Sequence, residues 1–241
     1  MRSIVLVTLG LLFFAHIAGA ATWSVISFAT SPQNAADVAA AADALMGSKV
    51  GQEFPGRLLL QANVADGDNP ATHSFVPVYS TAADREAFVA KLQADPAWAT
   101  FQETMTAKTE PVSTVMYQTV QRWGDVSDDD VVWRLHMFDV GDPAAFAAAL
   151  DAFMNSETGK NFPGQVFLSA VQSGGLSPVS HAISVGQASE AAIEAWQSNL
   201  VGNADWQKYL DASQASAEYL GNNLVRTLKG WGGTLDEVTA P

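Results

Sequence analysis

One long-range repeat limits what this chain can become. Phe54-Pro55-Gly56 recurs as Phe162-Pro163-Gly164, His73 as His181, Trp98 as Trp206, and Trp123-Gly124 as Trp231-Gly232, always at an offset of 108 positions. Phe88 becomes Trp196 and Phe101 becomes Tyr209 at the same offset. Solenoid repeats run to roughly 20–50 residues, so a period of this length means a duplicated domain. The boundaries read as follows: a signal segment over 1–20, a first repeat over 21–125, a linker over 126–130, a second repeat over 131–233, and a tail over 234–241. The linker Val126-Ser127-Asp128-Asp129-Asp130 is acidic and is expected to be solvated.

Each repeat reads as β-α-β-β-α-β. Residues 23–30 are β-rich, and Ser31-Pro32 then starts a helix with proline in its first turn. Asp142-Pro143 does the same in the second copy. Val38, Ala42 and Leu45 form one apolar stripe, as do Phe146, Leu150 and Phe153. The helix is expected to stop before Gly51 and Gly159. Strands follow over 58–64 and 73–79, joined through Asp66-Gly67-Asp68-Asn69-Pro70 as a hairpin. Thr81 with Asp84 opens a second helix, which Asp95-Pro96 interrupts. Residues 112–122 close the unit as a fourth strand.

That order is the ferredoxin-like arrangement, an antiparallel sheet with helices on one face. Val25 and Ala29 alternate with Ile26 and Phe28, so the first strand is apolar on both sides and is expected to be buried on both. The duplicate's sheet is the simplest cover for the open face. The fold expected is therefore α+β: two ferredoxin-like repeats packed sheet to sheet as an intrachain dimeric α+β barrel.

With this order, and with Asp95-Pro96-Ala97-Trp98-Ala99-Thr100-Phe101 on the second helix, the chain resembles the dimeric α+β barrel superfamily over residues 22–232. That superfamily holds antibiotic-biosynthesis monooxygenases, stress-responsive barrel proteins and tandem forms such as the chlorite dismutases. The resemblance implies the fold and leaves the activity open among cofactor-free oxygenases, haem enzymes, isomerases and proteins of no known activity. Its haem-degrading members use an Asn, Trp and His set. Trp98 and Trp206 fall on the right helix, but the first-strand Asn and the second-helix His are missing. Its chlorite dismutases use a proximal His and a distal Arg; His181 and Arg134 are those residue types, without a local motif.

Composition narrows the partners. Lys and Arg total 12 against 25 Asp and Glu, for a net charge of −13. An acidic surface disfavours phosphate backbones and anionic headgroups, so neither nucleic acid nor a membrane surface is expected as a partner. Arg2, the apolar run 4–14 and Ala18-Gly19-Ala20 form an export signal with a small-residue cleavage site. A periplasmic or secreted chain beginning near Ala21 is expected. Without cysteine, disulfides, thiolate chemistry and lipid attachment through cysteine are closed.

Five residues are candidates for a ligand site: Arg134, His136, His181, Arg226 and His73. Arg134 and His136 replace Ile26 and Phe28, and buried polar groups there call for partners or a ligand. Alternation with Trp133, Leu135 and Met137 is taken to aim them between the two sheets, with Arg226 on the same face. His73 and His181 stand at strand entrances, where the structural role is a hydrogen bond to a loop. Asp66-Gly67-Asp68-Asn69 has a calcium-like composition but reads as a solvated turn, and the second copy has Ser173-Gly174-Gly175-Leu176 there. No metal and no cofactor are expected, haem being the alternative. The functional expectation is a small-molecule-binding barrel with its pocket on the second-repeat side. The alternatives are a cofactor-free monooxygenase-like or haem enzyme, and a structural protein of the cell envelope.

Overall fold

The structure is a computed structural model that describes residues 20–174 and 178–240. The export segment, apart from Ala20, and Gly175-Leu176 of the second hairpin lie outside the described residues. The first repeat runs β1 (Thr22–Ala29), α1 (Pro32–Gly47), α2 (Lys49–Gln52), β2 (Gly56–Ala65), β3 (His73–Tyr79), α3 (Ala82–Gln93), α4 (Pro96–Lys108) and β4 (Glu110–Gly124). The second runs β5 (Val132–Val140), α5 (Pro143–Met154), α6 (Glu157–Lys160), β6 (Gln165–Gly174), β7 (His181–Gln187), α7 (Glu190–Leu200), α8 (Ala204–Ser216) and β8 (Ala217–Gly232). A short α9 (Leu235–Thr239) follows.

All eight strands are antiparallel to their neighbours and close into one barrel in the order β1-β3-β2-β8-β5-β7-β6-β4. The repeats meet edge to edge, β2 on β8 and β4 on β6, which leaves no free strand edge. The fold is the dimeric α+β barrel in one chain, with the helices outside.

Local chemistry sets the helix ends. Ser31 Oγ accepts from Asn34 N, Asp142 Oδ1 from Ala145 N, and Thr81 Oγ1 from Asp84 N. The glycines expected to end the first helices do something else. Gly51 and Gly159 sit inside α2 and α6, where a Cβ would lie 2.1 Å from the Leu45 carbonyl and 2.2 Å from that of Phe153. The break comes earlier, at Ser48 and Ser156, each hydroxyl capping the short helix that follows.

The barrel interior is mostly filled. Trp133, Phe167, Leu59, Val76, Val78 and Val225 pack there, and Trp23 stacks on Tyr117 at 4.3 Å while donating to Ser169 Oγ across the lumen at 3.3 Å. Each large apolar side chain so buried contributes about 1.5–3 kcal/mol. The tail expected over 234–241 is partly structured. A capping box of Thr234 and Glu237 starts α9, which presses Leu235 and Val238 into this cluster. The linker is not simply solvated either. Asp128 pairs with Arg57 at 3.3 Å, and Asp130 is buried and accepts from Gln165 Nε2 at 3.0 Å. Arg57 and Gln165 hold Asp128 and Asp130 at that end of the barrel, while Asp129 stays exposed.

Candidate functional site

The space left inside the barrel is a slot of about 110 Å³, bordered by Gln61, Asn63, Ser184 and Asn223 among the apolar residues. A larger cavity, about 570 Å³, lies between the outer face of the second repeat's sheet and helices α5, α7 and α8. Arg134, His136, Ile183, Val185 and Gln187 form its floor. Phe153, Trp196, Trp206, Tyr209, Ser213 and Gln214 form its roof. The mouth carries Val201 and Tyr219, 85% and 51% exposed.

The direction expected for Arg134 and His136 is therefore reversed. Trp133 and Leu135 face the barrel interior, and Arg134 and His136 face the helices. The cause is that β5 carries large apolar side chains on both faces, so alternation fixes which residues share a face without fixing which face is the lumen. The large, flat Trp133 is what fills the interior. Register puts Arg134 opposite Val185 and His136 opposite Ile183 on β7, all on the outer face.

Arg134 stands in that cavity without an acidic partner. Among the described residues its side chain takes part in no ion pair and no hydrogen bond, and its Nε is buried without an acceptor. Gln187 is 1% exposed, and its Nε2 is likewise unpartnered. His136 has its Nδ1 3.5 Å from the Tyr219 hydroxyl, whose oxygen accepts from Asn222 Nδ2 at 2.6 Å. Burial, reinforced by the nearby Arg134 charge, pushes the His136 imidazole down to about 4. It is neutral at physiological pH. Burial pushes the Tyr209 hydroxyl up to about 12, so the roof holds a phenol rather than a phenolate.

The other three candidates lie outside this cavity. Arg226 shares the outer face of the sheet but is held by Glu190 of α7. His181 packs edge-on against Phe146 with Nδ1 3.0 Å from Ser180 Oγ, and His73 stacks on Phe28 with Nδ1 2.9 Å from Thr72 Oγ1. Both are strand-entrance residues tied to the preceding loop, and burial lowers both imidazoles. His73 borders a smaller pocket of about 130 Å³ with Phe28 and Val38. In the first hairpin, Asp66 accepts from Asn63 at 3.0 Å and Asn69 at 2.6 Å, which ties the calcium-like loop to itself. No group of three or more acidic or imidazole side chains among the described residues could hold a metal.

Gln187, Ser213 and Tyr219 were not candidates in the sequence reading, yet the repeat offset marks each. They stand where the first repeat has Tyr79, Met105 and Pro111, changes as large as Ile26 to Arg134.

The opposed His and Arg expected for the haem alternative are not formed in this cavity. His136 and Arg134 leave the same face of one strand, so neither can sit across a macrocycle from the other. His181 is not in the cavity, and the roof offers no imidazole.

No protein-family model matches the chain, and no curated relative matches it in sequence. Solved structures do match its fold. A candidate monooxygenase from Lactobacillus acidophilus NCFM superposes with a TM-score of 0.63 at 12% identity, covering 88% of this chain and 95% of that one. An anthrone oxidase-like protein gives 0.56 at 12% identity over 88% and 93%. A haem-binding protein from Thermus thermophilus gives 0.52 at 10% identity over 88% and 92%. At these identities the likeness establishes the fold alone.

Proposed function

We propose that this chain is an exported small-molecule-binding protein whose ligand occupies the sheet–helix cavity of the second repeat. One observation carries the reading: a cation without an acidic partner stands in a cavity of about 570 Å³, where the first repeat has an isoleucine. Cavities of roughly 300–1,000 Å³, mostly apolar with a few convergent polar groups, are the usual form of small-molecule sites. An unpaired buried charge is destabilising, and such groups are commonly kept against stability when they serve function. The test is to extract purified protein with organic solvent and compare the small molecules recovered from wild type and from Ser213→Trp, which fills the roof. A compound present in the first and missing from the second is the expected result. Equal recovery from both would end the proposal. Export is tested by intact mass, which is expected to give a mature chain starting near Ala21.

A second reading, cofactor-free oxidation of the same ligand, draws on the likeness to the candidate monooxygenase and on the neutral His136 imidazole in the cavity. It predicts oxygen uptake with the extracted ligand that His136→Phe abolishes.

A further inference from the structure

The polar atoms on the cavity floor are specific enough to say what kind of molecule they suit. Arg134 presents a guanidinium with no carboxylate partner, and Gln187 presents a buried carboxamide with an unpartnered Nε2. They stand on adjacent strands and one face. Arg134 is opposite Val185, and Gln187 is two residues further along β7, which makes it a diagonal neighbour. Such neighbours are about 7–8 Å apart at the backbone, within reach of one small anionic group for side chains this long. A guanidinium and a carboxamide both donate through planar N–H groups, the geometry a carboxylate accepts.

Charge fixes the valence. The floor supplies one positive charge, because His136 is neutral and Arg226 is already held by Glu190. A monoanion balances it. A phosphate dianion would leave one negative charge uncompensated in an apolar cavity, which is strongly unfavourable. Six aromatic side chains, Phe138, Phe153, Phe162, Trp196, Trp206 and Tyr209, line the rest of the wall together with aliphatic ones such as Leu150 and Ile193. Ring-on-ring contacts add to area burial, so a flat ring system gains from these side chains what an alkyl chain does not.

We propose that the ligand is an aromatic monoacid, its carboxylate held by Arg134 and Gln187 and its ring system by the Trp196 and Trp206 wall. This rests on the reading of the second-repeat cavity as the ligand site, and it adds the ligand's chemistry. Arg134 and Gln187 are specificity-determining residues in it.

The probes are naphthalene-2-carboxylate and its methyl ester, which share a ring system and differ in charge. Calorimetric titration of the full mature chain is expected to show the acid binding at least tenfold tighter than the ester. Arg134→Met is expected to bring the two within about twofold of each other while leaving ester affinity and circular dichroism unchanged. Gln187→Leu is expected to cost the acid about threefold or more and the ester little. Equal affinity for acid and ester in wild type overturns the acid assignment and leaves the cavity reading standing. An acid preference that survives Arg134→Met also overturns it, as does acid binding unaffected by Ser213→Trp, which would place the probe elsewhere. If neither probe binds, the aromatic acid is likewise overturned, and the solvent-extraction comparison decides the cavity reading by itself.

Discussion

In the first repeat, the sheet meets its helices through Phe28, Phe75, Phe101 and Met105; at the same places the second repeat has His136, Ile183, Tyr209 and Ser213. Phe28 is 2% exposed and packs 5.4 Å from Phe75, which meets Phe101 edge-on at 5.8 Å. In the second repeat the volume has moved. The sheet floor and α8 have lost bulk, while Leu45 has become Phe153 and Phe88 has become Trp196 on the roof. Close packing is the rule in interiors, so subtracting atoms from one side of a layer leaves a space the other side does not fill. What stays constant is the skeleton. The FPG turns, the close-approach glycines Gly51 and Gly159, and Trp98 with Trp206 are the same in both copies. Duplication here kept the residues that shape the backbone and released those that only fill it.

The largest test separates the copies. Residues 22–124 alone would expose the edges of β2 and β4, now paired with β8 and β6, along with one half of the barrel interior. Free strand edges and an uncovered apolar face drive association, each Å² of apolar surface being worth roughly 25 cal/mol. Light scattering on that fragment is expected to show a dimer or aggregate. A folded monomer would mean that the copies are independent domains.

A smaller test exchanges fillers. Phe28→Ala in the packed copy is expected to cost about 3–5 kcal/mol in chemical denaturation, the usual loss for an aromatic-sized cavity. Ser213→Met, which restores the first repeat's residue to the open copy, is expected to be neutral or to stabilise by about 1 kcal/mol. A large loss from Ser213→Met would show that the second repeat has no room for the side chain its twin accommodates.

The copies should also differ in their response to acid. Phe28 cannot titrate, whereas His136 is pushed down to about 4 by burial and by Arg134. Between its ordinary value near 6.5 and about 4, the unfolded chain binds a proton that the native state refuses. Stability therefore falls as pH drops through that window, by about 2–3 kcal/mol at pH 4.5 from this one group. His73 and His181 are lowered by burial as well and add in the same direction. His136→Phe should reduce the loss between pH 7 and pH 4.5, measured as the difference in unfolding free energy from wild type. Parallel pH profiles would mean that His136 is solvated in the native state.

The sequence made the skeleton legible because the skeleton depends on local signals that occur twice. Ser31-Pro32 and Asp142-Pro143 do start helices, and the 66–70 turn does join two strands. The site was legible only in part. That Arg134 and His136 share a face followed from alternation, but which face did not. Trp133 and Arg134 both sit on a strand buried on either side, and the choice is made by Trp23, Phe167 and Val225 from three other strands. Arg226 looked equivalent to Arg134 until the fold brought Glu190 to it, a contact across 36 positions. α9 was hidden for a similar reason. Its five residues form a helix because the open end of the barrel gives Leu235 and Val238 somewhere to go.

The smallest effect expected is also the one that bears most directly on why the copies differ. Ile26 and Arg134 hold the same position, and Ile26 is 39% exposed while Phe28 beside it is buried. An arginine placed at 26 can reach water, so Ile26→Arg should change stability by no more than about 0.5 kcal/mol. Arg134 is partly buried with no acidic partner, so Arg134→Met removes an unpaired charge and extends an apolar floor. It should leave the melting temperature unchanged or raise it, by the equivalent of up to about 1 kcal/mol. The two substitutions measured side by side distinguish a residue that holds the fold from one kept for a ligand. A loss beyond about 1 kcal/mol on Arg134→Met, with Ile26→Arg harmless, would make Arg134 a structural residue with a partner in solution, and the second repeat's cavity would then need another explanation.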